Sequence, residues 1–307
     1  MVAVTAAPSP VAAVEPDLRE LIELRRLAAR AVAPNRGGSA QSAQAVSPQR
    51  GRGMDYAESR PYSPGDDVRH IDWRVTARTG RAHSKIFHAE RERVSLILAD
   101  TAPALYFGTR QRFKSVQAAR AGALATWLAL RAGDRPGALR STHAERPIAP
   151  KGGTRGALPV LEALARWYRR PPEEDLGLGE GIKAARRLLH PGASLLVLAD
   201  PRSFDGVEDA AIAALSAHCE LRVVLLVDPF ELDPPSARLR FVGVAGPLSL
   251  DLRAAEARAH WQSHFGDRLL ATEQRLRRLR TRVLILRSDE PTESVLRLFP
   301  RRAGRGA

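Results

Sequence analysis

Three carboxylates, Asp66, Asp67 and Asp72, sit close together in this 307-residue chain, interleaved with the guanidinium groups of Arg60, Arg69, Arg74 and Arg78. Carboxylates at such spacing can share a metal ion, or as a dyad pass protons. They can also be structural, because an arginine fork matches a carboxylate bidentately and locks a loop by ion pairs. Tyr56, Tyr62 and Trp73 thread the same stretch, Gly51 to Arg78, and that mixture also suits a surface that docks a partner. Staple, metal cluster and docking surface all stay open on these residues. Pro64-Gly65 reads as a tight turn, and Asp66 or Asp67 as the cap of a short helical turn through Trp73.

Other catalytic patterns are missing from the sequence. It has no G-x-S-x-G elbow, no Walker-type phosphate loop, and no G-x-G-x-x-G after the first apolar run. Histidines at 70, 83, 88, 143, 190, 218, 260 and 264 do not fall in metal-ligand spacing. His260 and His264 are four apart on an expected helix, but no H-E-x-x-H surrounds them, so a solvated pair is the reading. The chain is expected not to be an enzyme and to carry no obligatory cofactor.

Periodicity supplies the framework that would position these groups. Val94–Ala99, Ala193–Ala199, Glu220–Val227 and Thr281–Leu286 are continuous apolar runs, the mark of strands buried on both faces. A shorter strand is expected within 133–141. Helical patterns over 111–132, 154–168, 178–189, 207–217 and 251–280 alternate with the strands. The fold class is therefore α/β, a doubly wound, mostly parallel sheet. DPFELDPP reads as a loop, 241–250 as a β-hairpin, and 293–299 as a short terminal helix.

Four regions are expected. Residues 1–45 form an N-terminal arm with a helix at 17–32 and a flexible connector, and 46–92 the charged segment. Residues 93–299 make the α/β domain, and 300–307 a basic tail. The helix at 17–32 must pack back on the body across its connector, or bind something else.

The formal charge of +14 invites a nucleic-acid partner, and a non-specific basic binder is one alternative. Yet Lys85, Lys114, Lys151 and Lys183 are the only lysines, and the arginines are scattered, with no aromatic-basic motif of an RNA-binding fold. Specific nucleic-acid recognition is not expected. A single cysteine, Cys219, suits a reducing compartment. No stretch reaches the roughly 18 apolar residues of a membrane span. A cytoplasmic location is expected, and the oligomeric state is left open.

The run RPYSPGDDVRHIDWRVTAR, followed by the apolar strand ending in Asp100 and by Phe107-Gly108, resembles the bacterial domain of unknown function 58 family. The resemblance implies a von Willebrand factor A-like, Rossmann-like domain with the charged segment and an N-terminal helix packed on it. It marks Arg60, Tyr62, Gly65, Asp66, Asp67, Arg69, Asp72, Trp73 and Arg78 as signature positions. It also implies a scaffold or interaction role beside a MoxR-type AAA+ ATPase, in the assembly or maturation of other proteins. The von Willebrand type further implies a metal-ion-dependent adhesion site at the strand ends, mapped here to Asp100, Ala102, Ala104, Thr154 and Asp200. Alanines replace both expected serines, so a bound Mg²⁺ would lack two hydroxyl ligands, and Asp100, Thr154 and Asp200 remain as weak candidates for a degenerate site. Arg110, Arg112 and Arg155 are candidates for charge-based recognition near that edge.

Overall fold

A computed structural model of the chain describes residues 13–31, 54–63, 66–89, 93–142, 145–243 and 246–299. They divide into two units, Met1–Gly37 with Arg93–Ala307, and Gly38–Glu92. Gly65, the connector after residue 31 and the basic tail lie outside the described residues.

The chain opens with α1 (Leu18–Glu23), capped by the Asp17 carboxylate, and α2 (Arg25–Arg30). The single expected helix is thus interrupted at Leu24. Its apolar face is not left for a partner: Leu21, Leu24 and Ala28 enter the core of the larger unit, and Trp127 Nε1 donates to the Leu21 carbonyl at 3.0 Å.

In the smaller unit, β1 (Met54–Pro61) pairs antiparallel with β2 (His83–Ala89), with a register shift between Tyr56 and Glu58. Between them lie a 3₁₀ turn, Val68–His70, and α3 (Trp73–Thr79). β1 reads as a loop in sequence because its charged and polar residues give no apolar run. The caps are divided between two aspartates: Asp67 accepts from the Arg69 amide at the 3₁₀ turn, and Asp72 accepts from the Arg74 and Val75 amides at α3.

The larger unit continues with β3 (Val94–Ala99), α4 (Lys114–Arg131), β4 (Arg135–Arg140), α5 (Thr154–Trp167), α6 (Leu178–Leu188) and β5 (Ser194–Ala199). Then come α7 (Asp209–His218), β6 (Glu220–Val227), α8 (Pro229–Leu232), the hairpin β7 (Arg238–Gly243) and β8 (Gly246–Asp251), α9 (Ala255–Gln262), α10 (Arg268–Arg278) and β9 (Arg282–Arg287). Five strands form one parallel sheet in the order β4-β3-β5-β6-β9. Ile97, Leu196, Leu198, Val224 and Leu226 face one core with α1, α2, α4 and α5. Leu96, Leu195, Val197, Val223 and Leu225 face the other, with α6, α7 and α10. Both faces are covered, so the fold is a Rossmann-like, doubly wound α/β sheet.

Two sequence readings need correction. DPFELDPP is not simply a loop, because Pro229–Leu232 is helical, with Asp228 and Glu231 forming a reciprocal capping box. The long helix expected over 251–280 begins at Ala255 and contains a π turn, Ser263–Asp267, between α9 and α10. That turn takes His264 off the regular helical spacing from His260.

Candidate functional site

The five strands run in chain order second, first, third, fourth, fifth across the sheet, so strand order reverses between β3 and β5. Open sheets of this kind hold ligands at that reversal, beyond the carboxyl ends of the strands. Asp100 leaves β3 there, Asp200 leaves β5, and both are buried, 0 % and 2 % exposed.

Their oxygens are already engaged. Asp100 Oδ1 accepts from the Ala102 amide at 3.0 Å, while Oδ2 accepts from the Asp200 amide at 3.1 Å and from Ser203 Oγ at 2.5 Å. Asp200 Oδ1 accepts from the Arg202 amide and Nε, at 2.9 and 3.2 Å. Its Oδ2 lies 2.6 Å from Lys114 Nζ, and the same ammonium lies 2.6 Å from Glu231 Oε1. Glu231 Oε2 accepts from the Asp228 amide at 2.8 Å. Asp228 in turn accepts from the Thr109 hydroxyl and amide, from the Phe230 amide, and from Ser288 Oγ at 2.6 Å. One hydrogen-bonded chain therefore ties together the exits of β3, β5, β6 and β9.

Burial pushes the Asp100 carboxyl up to about 6, against the Ser203 hydroxyl that favours its ionised form. Burial acts the same way on Asp200, but the Lys114 and Arg202 charges overcome it and hold that carboxyl low. For Glu231 burial wins over Lys114, and the carboxyl is raised. At Asp228 burial is outweighed by hydrogen bonds from Ser288 and Thr109, and the carboxyl is lowered.

Lys114 owes its position to the loop before it. Its amide donates to the Phe107 carbonyl at 2.8 Å, folding Phe107–Phe113 into a tight return. Gly108 permits this, since a Cβ there would meet the Arg112 carbonyl oxygen at 2.3 Å. Arg112 is anchored rather than free: it donates to Gln117 Oε1 and the Glu290 carbonyl. Arg110 is exposed and lines an open cleft of about 550 Å³ with Thr109, Phe230, Asp233, Pro235 and Arg258. A cavity of only about 10 Å³, room for one water, lies between Asp200, Arg202, Glu231, His264 and Phe265.

Of the weak metal candidates, Asp100 and Asp200 come together and Thr154 does not join them. Ala102 and Ala104 sit at a 3₁₀ turn and offer no side-chain oxygen. Thr154 is at the opposite end of the sheet. After β4 the chain doubles back, with the Ile148 amide donating to Ala138 at 2.7 Å and the Lys151 amide to Pro136 at 3.2 Å. Thus α5 starts near the beginning of β4, and exposed Thr154 and Arg155 lie there with it. The remaining oxygens of Asp100 and Asp200 are taken by amides, Ser203, Arg202 and Lys114, a donor set that does not fit Mg²⁺, which needs about six oxygens at about 2.1 Å. Among the described residues, no three His, Cys, Asp or Glu side chains form a metal-holding group.

In the smaller unit Asp72 is buried and Asp66 half-buried, each held by partners of its own unit, while Asp67 stays exposed. Asp66 Oδ1 pairs with Arg60 at 2.6 Å and Oδ2 accepts from the Ser63 amide at 3.0 Å. Asp72, 6 % exposed, accepts from Ser59 Oγ at 2.7 Å, and this bond above all keeps its carboxyl low. Tyr62 is half-buried, its amide donating to the Ala82 carbonyl. Outward go Trp73, 71 % exposed, Val68, 62 % exposed, and the side chains of Arg69, Arg74 and Arg78. Asp66, Asp67 and Asp72 do not converge on a shared site: each serves its own local turn.

Lys114, Ser203, Asp228 and Glu231 are absent from the sequence-level candidates. Two signals pointed to them: a lysine in a chain whose base is nearly all arginine, and the D-x-x-E spacing of a capping box.

Among the described residues no helix is long and apolar enough to cross a membrane. Uncharacterized proteins of Mycobacterium bovis and Mycobacterium tuberculosis are 31 % identical over 188 residues, 60 % of this chain. The aligned part spans 58 % of the length of those relatives. A crystal structure of an aerotolerance-related membrane protein from Bacteroides fragilis superposes with a TM-score of 0.46 at 14 % identity, covering 67 % of this chain and 96 % of that one. A family model described as "Protein of unknown function DUF58" matches residues 58–263. With two thirds of its length inside that match, the chain belongs to the DUF58 family.

Proposed function

We propose that the chain is a non-catalytic interaction module whose signature face takes an acidic surface of a protein partner, and that this partner is a MoxR-type AAA+ ATPase. One observation carries the reading: Trp73, Arg74 and Arg78 all stand exposed on one short helix whose cap, Asp72, is spent internally. Tryptophan and arginine are the side chains that dominate interface energetics, and an indole in water gains most from being covered. Asp66 is paired with Arg60 and Asp72 is buried on Ser59, so against Asp67, the one exposed aspartate of the three, the exposed Arg69, Arg74 and Arg78 leave this segment net cationic, which selects an acidic partner.

The strand-end cluster supports the non-catalytic half. A general acid or base must reach its substrate, whereas Asp100 and Asp200 are enclosed and bonded on both oxygens. The ATPase and the assembly or maturation role come from the family resemblance, and a cytoplasmic setting from the single cysteine and the lack of a membrane-length apolar run.

The test is affinity capture of a MoxR-type ATPase from the same genome by tagged chain. Wild type should retain the ATPase after nuclease treatment. Trp73→Ala and the double variant Arg74→Glu/Arg78→Glu should each lower capture at least tenfold with an unchanged Tm. Undiminished capture by folded variants would sink the proposal. Capture abolished by nuclease and steeply dependent on salt would favour a nucleic-acid partner instead.

A further inference from the structure

We infer that the ammonium of Lys114 is the resident cation of the strand-end site: it holds from within the position a divalent ion would need, so the site is closed and independent of metal. Three observations meet on this residue. Its Nζ is fully buried at 2.6 Å from both Asp200 Oδ2 and Glu231 Oε1, one carboxylate just after β5 and the other in α8, which follows β6. It is the first residue of α4, where the positive end of the helix dipole opposes a cation. A lysine placed there against the dipole and wholly out of water needs both carboxylates. Equally, two carboxylates so deep need a cation between them. Third, the chain uses 4 lysines among 48 basic residues, and the buried one is at this point. A compact ammonium fits between two oxygens, where a planar guanidinium would demand a wider and flatter space.

Asp100 completes the arrangement without sharing in the ion pair. Its carboxylate is satisfied by Ser203 and by the amide of Asp200, which fixes the carboxylate of Asp200 in place. Ser203, beyond β5, thus supplies a hydroxyl at a site where Ala102 and Ala104 supply none. The oxygens that would bind a divalent ion are occupied by Lys114, Ser203, Arg202 and backbone amides of the chain itself.

The experiment is thermal unfolding of the full chain with EDTA, MgCl₂ or MnCl₂. Wild type should show the same Tm in all three, and a saturable rise with either metal would overturn the assignment. Lys114→Ala should melt roughly 10 °C lower, the expectation for breaking a buried pair in a domain of this size. Mn²⁺ should recover roughly half of that loss in a saturable way by filling the vacated position. A folded Lys114→Ala that keeps its Tm, or that lost stability and ignores Mn²⁺, would show that Lys114 does not stand in for a metal. If Lys114→Ala does not fold, Lys114→Met/Asp200→Asn/Glu231→Gln decides. Removing all three charges together should restore folding, and failure of this variant would count against the inference.

Discussion

Ser203 Oγ donates to Asp100 Oδ2 at 2.5 Å, joining the turn after β5 to the end of β3 across the point where strand order reverses. This bond favours an ionised Asp100 that burial otherwise pushes up to about 6. A folded-state value above the unfolded 3.8 means that the folded chain holds the proton more tightly. Asp100 therefore contributes most to stability below that unfolded value, and the contribution is lost as pH rises through about 6. Its size is on the order of 3 kcal/mol at about 1.36 kcal/mol per pH unit. Ser203→Ala should lift Asp100 further, weakening the protein at pH 7 more than at pH 4. Urea midpoints measured across that range check it, and equal losses at both pH values would exclude Asp100 as the group responsible.

Asp72 has the opposite sign. Its carboxyl is held low, chiefly by the Ser59 hydroxyl, so what it adds is present above the unfolded value and fades as pH falls through the folded one. Asp72→Ala should strip amide-exchange protection from α3, beginning at Arg74 and Val75, at neutral pH. The difference from wild type should shrink in acid. Unaltered protection at neutral pH would mean that α3 does not depend on this cap.

Glu231 has one oxygen on Lys114 and the other on the Asp228 amide. An amide side chain can accept from only one of them. Glu231→Gln should turn its NH₂ either toward an ammonium or toward an N–H, at a cost of about 2–4 kcal/mol. Chemical denaturation reads this directly, and a change below about 1 kcal/mol would show the ion pair to be dispensable.

At the other end of the sheet, a Cβ on residue 156 would sit 1.9 Å from the Lys151 carbonyl oxygen, a backbone atom that cannot swing away. Gly156→Ala should therefore lower stability by about 2–3 kcal/mol, as overpacking does. Gly192→Ala meets no atom within 4 Å but carries a φ of +88°, so it should show the milder cost of backbone strain alone. The ratio of the two effects, read from the same urea titrations, separates collision from strain.

The strands were legible wherever both faces are buried. VSLILA, SLLVLA and ELRVVLLV are apolar at nearly every position because each residue meets one core or the other. β1 was hidden, since Met54–Pro61 belongs to a two-stranded pair and mixes charges with its apolar residues. Asp100 and Asp200 could be placed at the switch point from strand order and the positions of the runs. Lys114 could not, because a residue between a tight loop and a helix start has no periodicity to place it. Its partners come from β5 and α8, far along the chain, and only folding brings them to one point. Thr154 misled for the mirror-image reason: the segment after β4 reverses direction through Ile148 and Lys151, which nothing in KGGTRGA announces.

β9 pairs with β6 along its whole length, yet it falls after residue 263, where the family match ends, just as α1 and α2 fall before its start at 58. A fragment trimmed to those borders would present β6 as a raw edge and uncover Trp127, two sticky surfaces at once. Copies of it would be prone to zip together, so loss of a binding partner in such a fragment would say more about where the gene was cut than about recognition.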